Sequence, residues 1–470
     1  PSAGESISKS RTIGVYGEAY ITYRKFGTTL HLTGRRDHVS VLDPGYNTFF
    51  YPSADLSVVL SDAIPALKDN PNINLLKLRF GIANSGNVNL GPYATQPTIG
   101  QGAGYPYSGV ISYTIGDRIV QKGLKPEFTF ATEYGIDFEF FRRISGEFTY
   151  YIQKTRNQTL PVQLTQSTGY YSMLANVGLT KGSGFEASLN VNVVNKENWY
   201  LTLGGNYTYN DNRVVDLGIQ DIERISLFTY GDQTGIYAAN GYRFPVYFGT
   251  THLRDSATGK VIVDPVSGYP SNNTNIQPLG NTQPLHRMGV NLDAGWKGIN
   301  LRVLMEYRGG YVIYAGAGPT YDFSGSSINT IMFDRERFVF PNSVYLDPAT
   351  GRYVDNTNLT ITDGNTGYWT QNNPRRAITE NYLLSGDFWK LREISLSYNL
   401  PSKLFRNTKI LKGAAINLIG RNLFILVPKE NVYATDPEYS NNGTGNYLGI
   451  TTLTENPPTR FYGATISFNF

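Results

Sequence analysis

Apolar and polar residues alternate with a period of two through much of this chain. In Arg460 to Phe470, Tyr462, Ala464, Ile466, Phe468 and Phe470 share one side of an extended backbone, with Gly463, Thr465, Ser467 and Asn469 on the other. That period marks a β-strand with one apolar and one polar face. The same alternation runs from Thr12 to Arg24, around Leu30 and Leu32, from Ser53 to Ser61 and from Asn74 to Ile82. It returns at Glu133–Phe140, Ile144–Gln153, Phe185–Val193, Trp199–Tyr209, Met288–Trp296, Leu301–Tyr307, Phe388–Tyr398 and Ala414–Leu426. About 13 strands are predicted. In one of them, Ile394, Leu396 and Tyr398 oppose Glu393, Ser395 and Ser397, but Trp389 to Arg392 is out of phase, which predicts a bulge.

The connections sort by length. Tight turns are predicted near Gly27, Pro71, Arg142-Arg143, Asn195–Asn198, Lys297-Gly298 and Pro401, and they alternate with long segments rich in Gly, Asn and Tyr near 84–126, 211–286, 309–386 and 427–459. A soluble sandwich accounts for a polar face on each strand, but not for strict sidedness of loop length. Short turns on one side and extended loops on the other are the pattern of a transmembrane antiparallel β-barrel. The fold class expected is therefore all-β, with residues 1–470 forming part of a single barrel domain and no plug domain within them. With short turns in the periplasm, the final strand runs inward, and counting back makes the first strand inward as well. A complete barrel has an even strand number and begins in the periplasm. The odd count predicts further strands before Pro1.

Composition agrees with this reading. The 470 residues include 35 Tyr, 24 Phe and 49 Gly, with only 17% charged, which suits long strands, aromatic girdles and polar loops. Cysteine is absent, so no disulfide or thiolate chemistry can be assigned to these residues. The net charge is +4 and the longest basic runs, such as Arg35-Arg36, are two residues, which gives no nucleic-acid patch. No apolar run approaches the roughly 18 residues of a membrane helix, and the opening PSAGESISKSR lacks the apolar region of a signal peptide.

Enzyme-like patterns are weak. Gly182-Ser183-Gly184 with Ala187 runs into an alternating strand instead of a helix, so a phosphate would find no helix amino terminus. His31, His38, His252 and His286 lack metal-ligand spacing. The row Glu133, Asp137, Glu139 and Glu147 is ordinary for a solvated barrel wall. No catalytic residue, metal or cofactor is expected. The loops hold Tyr105, Tyr107, Tyr170, Tyr171, Tyr311, Tyr314, Trp369, Tyr433, Tyr439 and Tyr447 among many amides and glycines. Tyr170, Tyr171, Tyr311, Tyr314, Trp369, Tyr433, Tyr439 and Tyr447 are the candidate substrate contacts, since such rings stack on sugars or peptides; packing of the loops is the plainer alternative. Tyr462, Ile466, Phe468 and Phe470 are expected to close the barrel.

Several stretches carry a family resemblance: FFYPSADLSVVLSD (Phe49 to Asp62), INLLKLRFGIANSGN (Ile73 to Asn87), EYGIDFEFFRRISGEFTYYIQKTRN (Glu133 to Asn157) and LANVGLTKGSGFEASLN (Leu174 to Asn190). FWKLREISLSYNLP (Phe388 to Pro401), GRNLFIL (Gly420 to Leu426), ATDPE (Ala434 to Glu438) and PPTRFYGATISFNF (Pro457 to Phe470) follow in order. Together they make the chain similar to the carboxyl-terminal half of a SusC-like (SusC/RagA-type) TonB-dependent outer-membrane transporter of the Bacteroidota. The resemblance implies a barrel of about 22 strands with a plugged lumen. It also implies a SusD-like surface lipoprotein as partner, TonB engaged through a segment upstream of Pro1, outer-membrane lipid around the wall, and a glycan or oligopeptide as the imported nutrient. The alternative is a SusC-like barrel that transports nothing and serves as a structural subunit of a surface assembly.

Overall fold

A computed structural model describes residues 7–96, 99–101, 106–219, 222–230, 234–370, 374–406, 408, 410–433, 436–439, 448–453 and 458–470. Thirteen long strands dominate: β1 (Thr12–Tyr23), β2 (Thr28–Val39), β3 (Thr48–Val59), β4 (Ile73–Asn87), β5 (Glu127–Phe140), β6 (Ile144–Gln163), β7 (Ser172–Lys196), β8 (Trp199–Asp216), β9 (His286–Trp296), β10 (Ile299–Gly309), β11 (Phe388–Asn399), β12 (Gly413–Arg421) and β13 (Phe461–Asn469). The order of hydrogen-bonded neighbours in the sheet is the order of the chain. The count matches the sequence reading.

The chain folds as two compact units, one of 1–192, 208–225 and 239–242, the other of 193–207, 226–238 and 243–470. In the first, β1 to β6 form antiparallel ladders in unbroken succession. Its turns are those the sequence predicts: Gly27 lies in the left-handed region (φ 51°) after one turn of 3-10 helix, and Phe141 and Arg142 (φ 55° and 54°) reverse the chain between β5 and β6. Val39, Leu42, Leu124 and Leu174 make a small buried core beside the strands. Asn176 anchors the 84–126 connection there, donating to the Lys125 and Asn157 carbonyls at 2.9 Å while accepting from the Lys125 amide at 2.6 Å.

In the second unit β9 and β10 join through Lys297 and Gly298, both left-handed (φ 47° and 88°), a two-residue turn whose twist suits antiparallel strands. The long connections here are folded. Val246–His252 lies between Gly235–Ala239 and Asn272–Asn281, and Val261–Val263 pairs with Ser343–Asp347, which pairs with Arg352–Asp355. Val312–Ala315 pairs with both Leu383–Ser385 and Ile450–Thr451, so two connections distant in sequence share one small sheet.

Strands also outrun their alternation. β7 begins at Ser172, not near Phe185, because its ladder with β6 continues from Asn190↔Ser145 to Ser172↔Gln163. A hydrogen-bond ladder needs no lipid, so pairing persists where the apolar face is no longer required.

The decisive surface is the apolar face. Large side chains stand exposed along it within each unit: Ile13, Val15 and Ile21 on β1, Leu78, Phe80 and Ile82 on β4, Leu396 on β11, Leu418 on β12, Ile466 and Phe468 on β13. On β13, Tyr462, Ile466 and Phe468 are 71, 60 and 54% exposed, and Phe470 just past its end is 73% exposed. A water-facing sheet does not leave such a band uncovered. Such a face suits lipid, with polar groups left to the opposite side.

Candidate functional site

The polar face is a network of charges and amides. In the first unit, Arg79 reaches Asp137 at 2.8 Å and Thr149 at 3.1 Å, with Lys77 at 3.5 Å from the same carboxylate. Gly135 makes room for it, since a Cβ there would lie 2.9 Å from the guanidinium carbon. In the second unit the Tyr200 hydroxyl lies 3.1 Å from Asp293 and 3.0 Å from Asn300, and Arg302 donates to Asp293 at 3.0 Å. The carboxylate row foreseen from the sequence is therefore part of a wall: Asp137 is ion-paired, and Glu147 lies 4.0 Å from Arg79. Gly182-Ser183-Gly184 sits inside β7, where Gly184 pairs with Tyr151.

The densest site is on β10 and β11. The bulge foreseen at Trp389–Arg392 is present: Leu304 pairs with Glu393 and Met305 with Leu391, leaving Arg392 as the extra residue. The shift sets Lys390 opposite Glu306. Lys390 is 3% exposed, with its ammonium 2.9 Å from Asp436 and 2.7 Å from Glu438. The Phe388 and Tyr439 rings flank it at 5.6 and 5.5 Å. Arg392 donates through both terminal nitrogens to the two oxygens of Glu438, each at 2.6 Å, and through Nε to Glu306. Arg308 lies 2.6 Å from Glu306 and 3.0 Å from Glu438. Three cations thus meet three carboxylates, which is how buried charge becomes tolerable. Burial opposes ionisation of Glu438, but hydrogen bonds from Arg392 and Lys390 outweigh it and hold its pKa down at about 2. FWKLR and ATDPE stand far apart in the sequence; the fold makes Lys390, Arg392, Asp436 and Glu438 one cluster. Ala434 and Thr435 of the second stretch lie outside the described residues.

The loop aromatics divide. Tyr311, Tyr314 and Tyr433 are buried in one cluster with Ile236, Tyr247, Ile313, Tyr382 and Ile450. Trp369 is buried in another with Phe338, Ile361 and Tyr368. In this arrangement these four rings pack loop against loop. Tyr311 lies over Gly386, where a Cβ would come within 2.5 Å of the ring, and its hydroxyl donates to the Pro437 carbonyl at 3.3 Å. Burial pushes the Tyr311 phenol well above its usual pKa. Between the rings sits Asp322, fully buried, whose Oδ2 accepts from Arg375 at 2.8 Å, Tyr382 at 3.0 Å and Tyr433 at 3.2 Å. Arg375 also lies over Trp369, 5.1 Å from the ring centre. Tyr170 is half-buried, and Tyr107, Tyr171 and Tyr439 keep ring surface in solvent. Tyr105 and Tyr447 lie outside the described residues.

One signal in the loops went unread in the sequence. Asp255-Ser-Ala-Thr258-Gly259, Asp264-Pro-Val-Ser267-Gly268, Asp347-Pro-Ala-Thr350-Gly351 and Asp363-Gly-Asn-Thr366-Gly367 repeat one pattern. In each, the Asp accepts from the hydroxyl three residues on and from nearby backbone amides. Hydrogen bonds to the charged form lower all four carboxyl pKa values. Such side-chain bonds hold tight turns, so these loops are built, not slack. Nearby, His252 and Arg254 each reach Glu380 at 2.8 Å. Burial works against the ionised Glu380, yet those bonds leave its pKa lowered.

Residues 2–296 match the family described as TonB dependent receptor-like, beta-barrel. The chain belongs to this family. Among curated members it is similar to TonB-dependent receptor P26 of Formosa agariphila, 25% identical over 453 residues, covering 89% of this chain and 42% of the relative. TonB-dependent receptor P3 of the same organism is 21% identical over 486 residues, covering 95% and 45%. Among solved structures, a chain of the RagAB peptide transporter matches with a TM-score of 0.73 at 17% identity, over 98% of this chain and 48% of that one. At that identity the likeness concerns the fold. The sequence spans about half the length of these relatives. Membership of this barrel family accounts for a sheet with one exposed apolar side.

Proposed function

We propose that the protein is an outer-membrane transport receptor, and that this chain supplies barrel wall and external loops for taking up a large nutrient, an oligopeptide or a glycan. Energy would come from TonB through a segment outside these 470 residues, with a SusD-like lipoprotein over the loops. The carrying observation is the division of the sheet: an exposed apolar face suited to lipid, and a polar face on which a folded loop is held by ion pairs. The family membership supports the reading. Of the loop aromatics, Tyr170, Tyr171 and Tyr439 are proposed as ligand contacts, because their rings retain solvent-facing surface.

The test is uptake. Cells carrying the complete protein are given fluorescent oligopeptides and oligosaccharides, in strains with and without TonB. Entry that requires both the protein and TonB is the expected result. Binding at the surface with no entry under any condition would replace this reading with that of a structural subunit.

A further inference from the structure

We infer that Lys390 and Arg392 are positioning residues that fix the ring of Tyr439 as a ligand-contacting surface. The inference rests on the transport reading above, which makes this side of the sheet the one that meets cargo. Tyr439 differs from the buried loop aromatics, since 39% of it remains exposed while its ring also lies beside the Lys390 ammonium. Among the described residues, the Tyr439 amide bonds the Asp436 carbonyl at 3.1 Å and the Glu438 amide bonds Asp436 Oδ1 at 3.0 Å within the turn, and the Tyr311 hydroxyl reaches the Pro437 carbonyl at 3.3 Å.

What ties that turn to the wall is charge. Lys390 bridges Asp436 and Glu438, and Arg392 grips Glu438 with two parallel bonds, a geometry that sets orientation as well as distance. Glu306, opposite Lys390 in the ladder, is engaged by Arg308 and Arg392, while the lysine's ammonium meets Asp436 and Glu438 of the turn; a buried ammonium is costly unless paired. Its cost is met by the segment it holds. The result is a ring lying beside a cation in a residue that stays partly exposed, suited to the C–H surface of a sugar or an aliphatic side chain.

The experiment uses the complete protein in detergent, with hydrogen exchange read at the Glu438 and Tyr439 amides. Binding is read with two probe sets, a maltooligosaccharide series and a proline-rich oligopeptide library. Glu438→Gln and Lys390→Met are expected to speed exchange at both amides by about tenfold, local opening being what exchange reports. Lys390→Arg should restore protection. Probe affinity should fall alike in Glu438→Gln and in Tyr439→Ala, for whichever set binds the native protein. Unchanged exchange in both charge variants would overturn the positioning role. Faster exchange with affinity unaltered in Tyr439→Ala would overturn the contact role of this ring, and with it that part of the transport reading. Should Glu438→Gln fail to assemble, Arg392→Lys keeps the charge and gives the same comparison at smaller amplitude.

Discussion

Arg392 and Glu438 form a two-pronged ion pair, with each terminal guanidinium nitrogen 2.6 Å from its own carboxylate oxygen. The pair exists because a single extra residue in β11 turns Arg392 toward the polar face. Lysine is a point charge on a flexible stem and cannot reproduce the fork. Arg392→Lys should therefore lower stability by about 1 kcal/mol, and Arg392→Ala by about 3 kcal/mol by leaving Glu438 and Glu306 short of positive charge. Urea midpoints of protease cleavage in the complete protein measure both; equal effects would contradict the fork.

Acid should release the same segment in a defined range. The folded pKa of Glu438 is held down at about 2, against about 4.3 for a free Glu. A depressed carboxyl pKa contributes stability fully above the unfolded value and loses it as pH falls through the folded one. Glu380 shifts in the same direction, so its contribution has the same sign. Protection factors at 436–439, exchange rates corrected for the intrinsic pH dependence, should be flat down to about pH 5 and fall between about pH 4 and 2. A fall already near neutrality would mean that other groups control the segment.

Asp322 is the carboxylate that Arg375 meets among the described residues. Asp322→Asn would leave a largely buried guanidinium without counter-charge, at about 3 kcal/mol. Limited proteolysis should then cut within 309–386 while the thirteen-stranded wall stays resistant. Simultaneous loss of wall and loop would show that the two do not open separately.

The repeated turns can be tested one at a time. Gly351 has φ +63°, so Gly351→Val should cost about 1–2 kcal/mol of local stability. Thr350→Val removes a 2.8 Å bond to Asp347 for about 1 kcal/mol. Exchange in the Ser343–Asp355 hairpin reads both.

The two faces of β13 should respond oppositely to charge. Ile466→Lys places an ammonium on the apolar side and should cost about 2–4 kcal/mol if the position is near the bilayer midplane, whereas Ser467→Lys, on the polar side, should be tolerated. The fraction that inserts into lipid vesicles in a heat-modifiable form measures the difference. Equal insertion would contradict a lipid-facing side.

Much of this architecture is legible from alternation alone, for a physical reason. Lipid demands an unbroken apolar row wherever a strand crosses it, and the row Tyr462, Ile466 and Phe468 announces both the strand and its apolar face. The bulge is legible for the same reason, since Trp389 to Arg392 breaks the row. Alternation falls silent outside the bilayer. The start of β7 at Ser172 and the small sheet joining Val312–Ala315 to Ile450–Thr451 leave no periodic trace. The turn repeat that begins at Asp255 was present in the sequence, but its meaning depends on a local hydrogen bond and not on a period.

Sequence by itself determined the strands, their two faces, the short and long connections and the family of the barrel, because each depends on neighbours in the chain or on the medium around it. Only the tertiary structure decided which loop rings are buried and which are presented. Tyr311, Tyr433 and Tyr439 look alike as residues in Gly- and Asn-rich segments. Two of them are covered and one is held partly open, because partners far along the chain, such as Tyr382 and Lys390, arrive beside them only on folding.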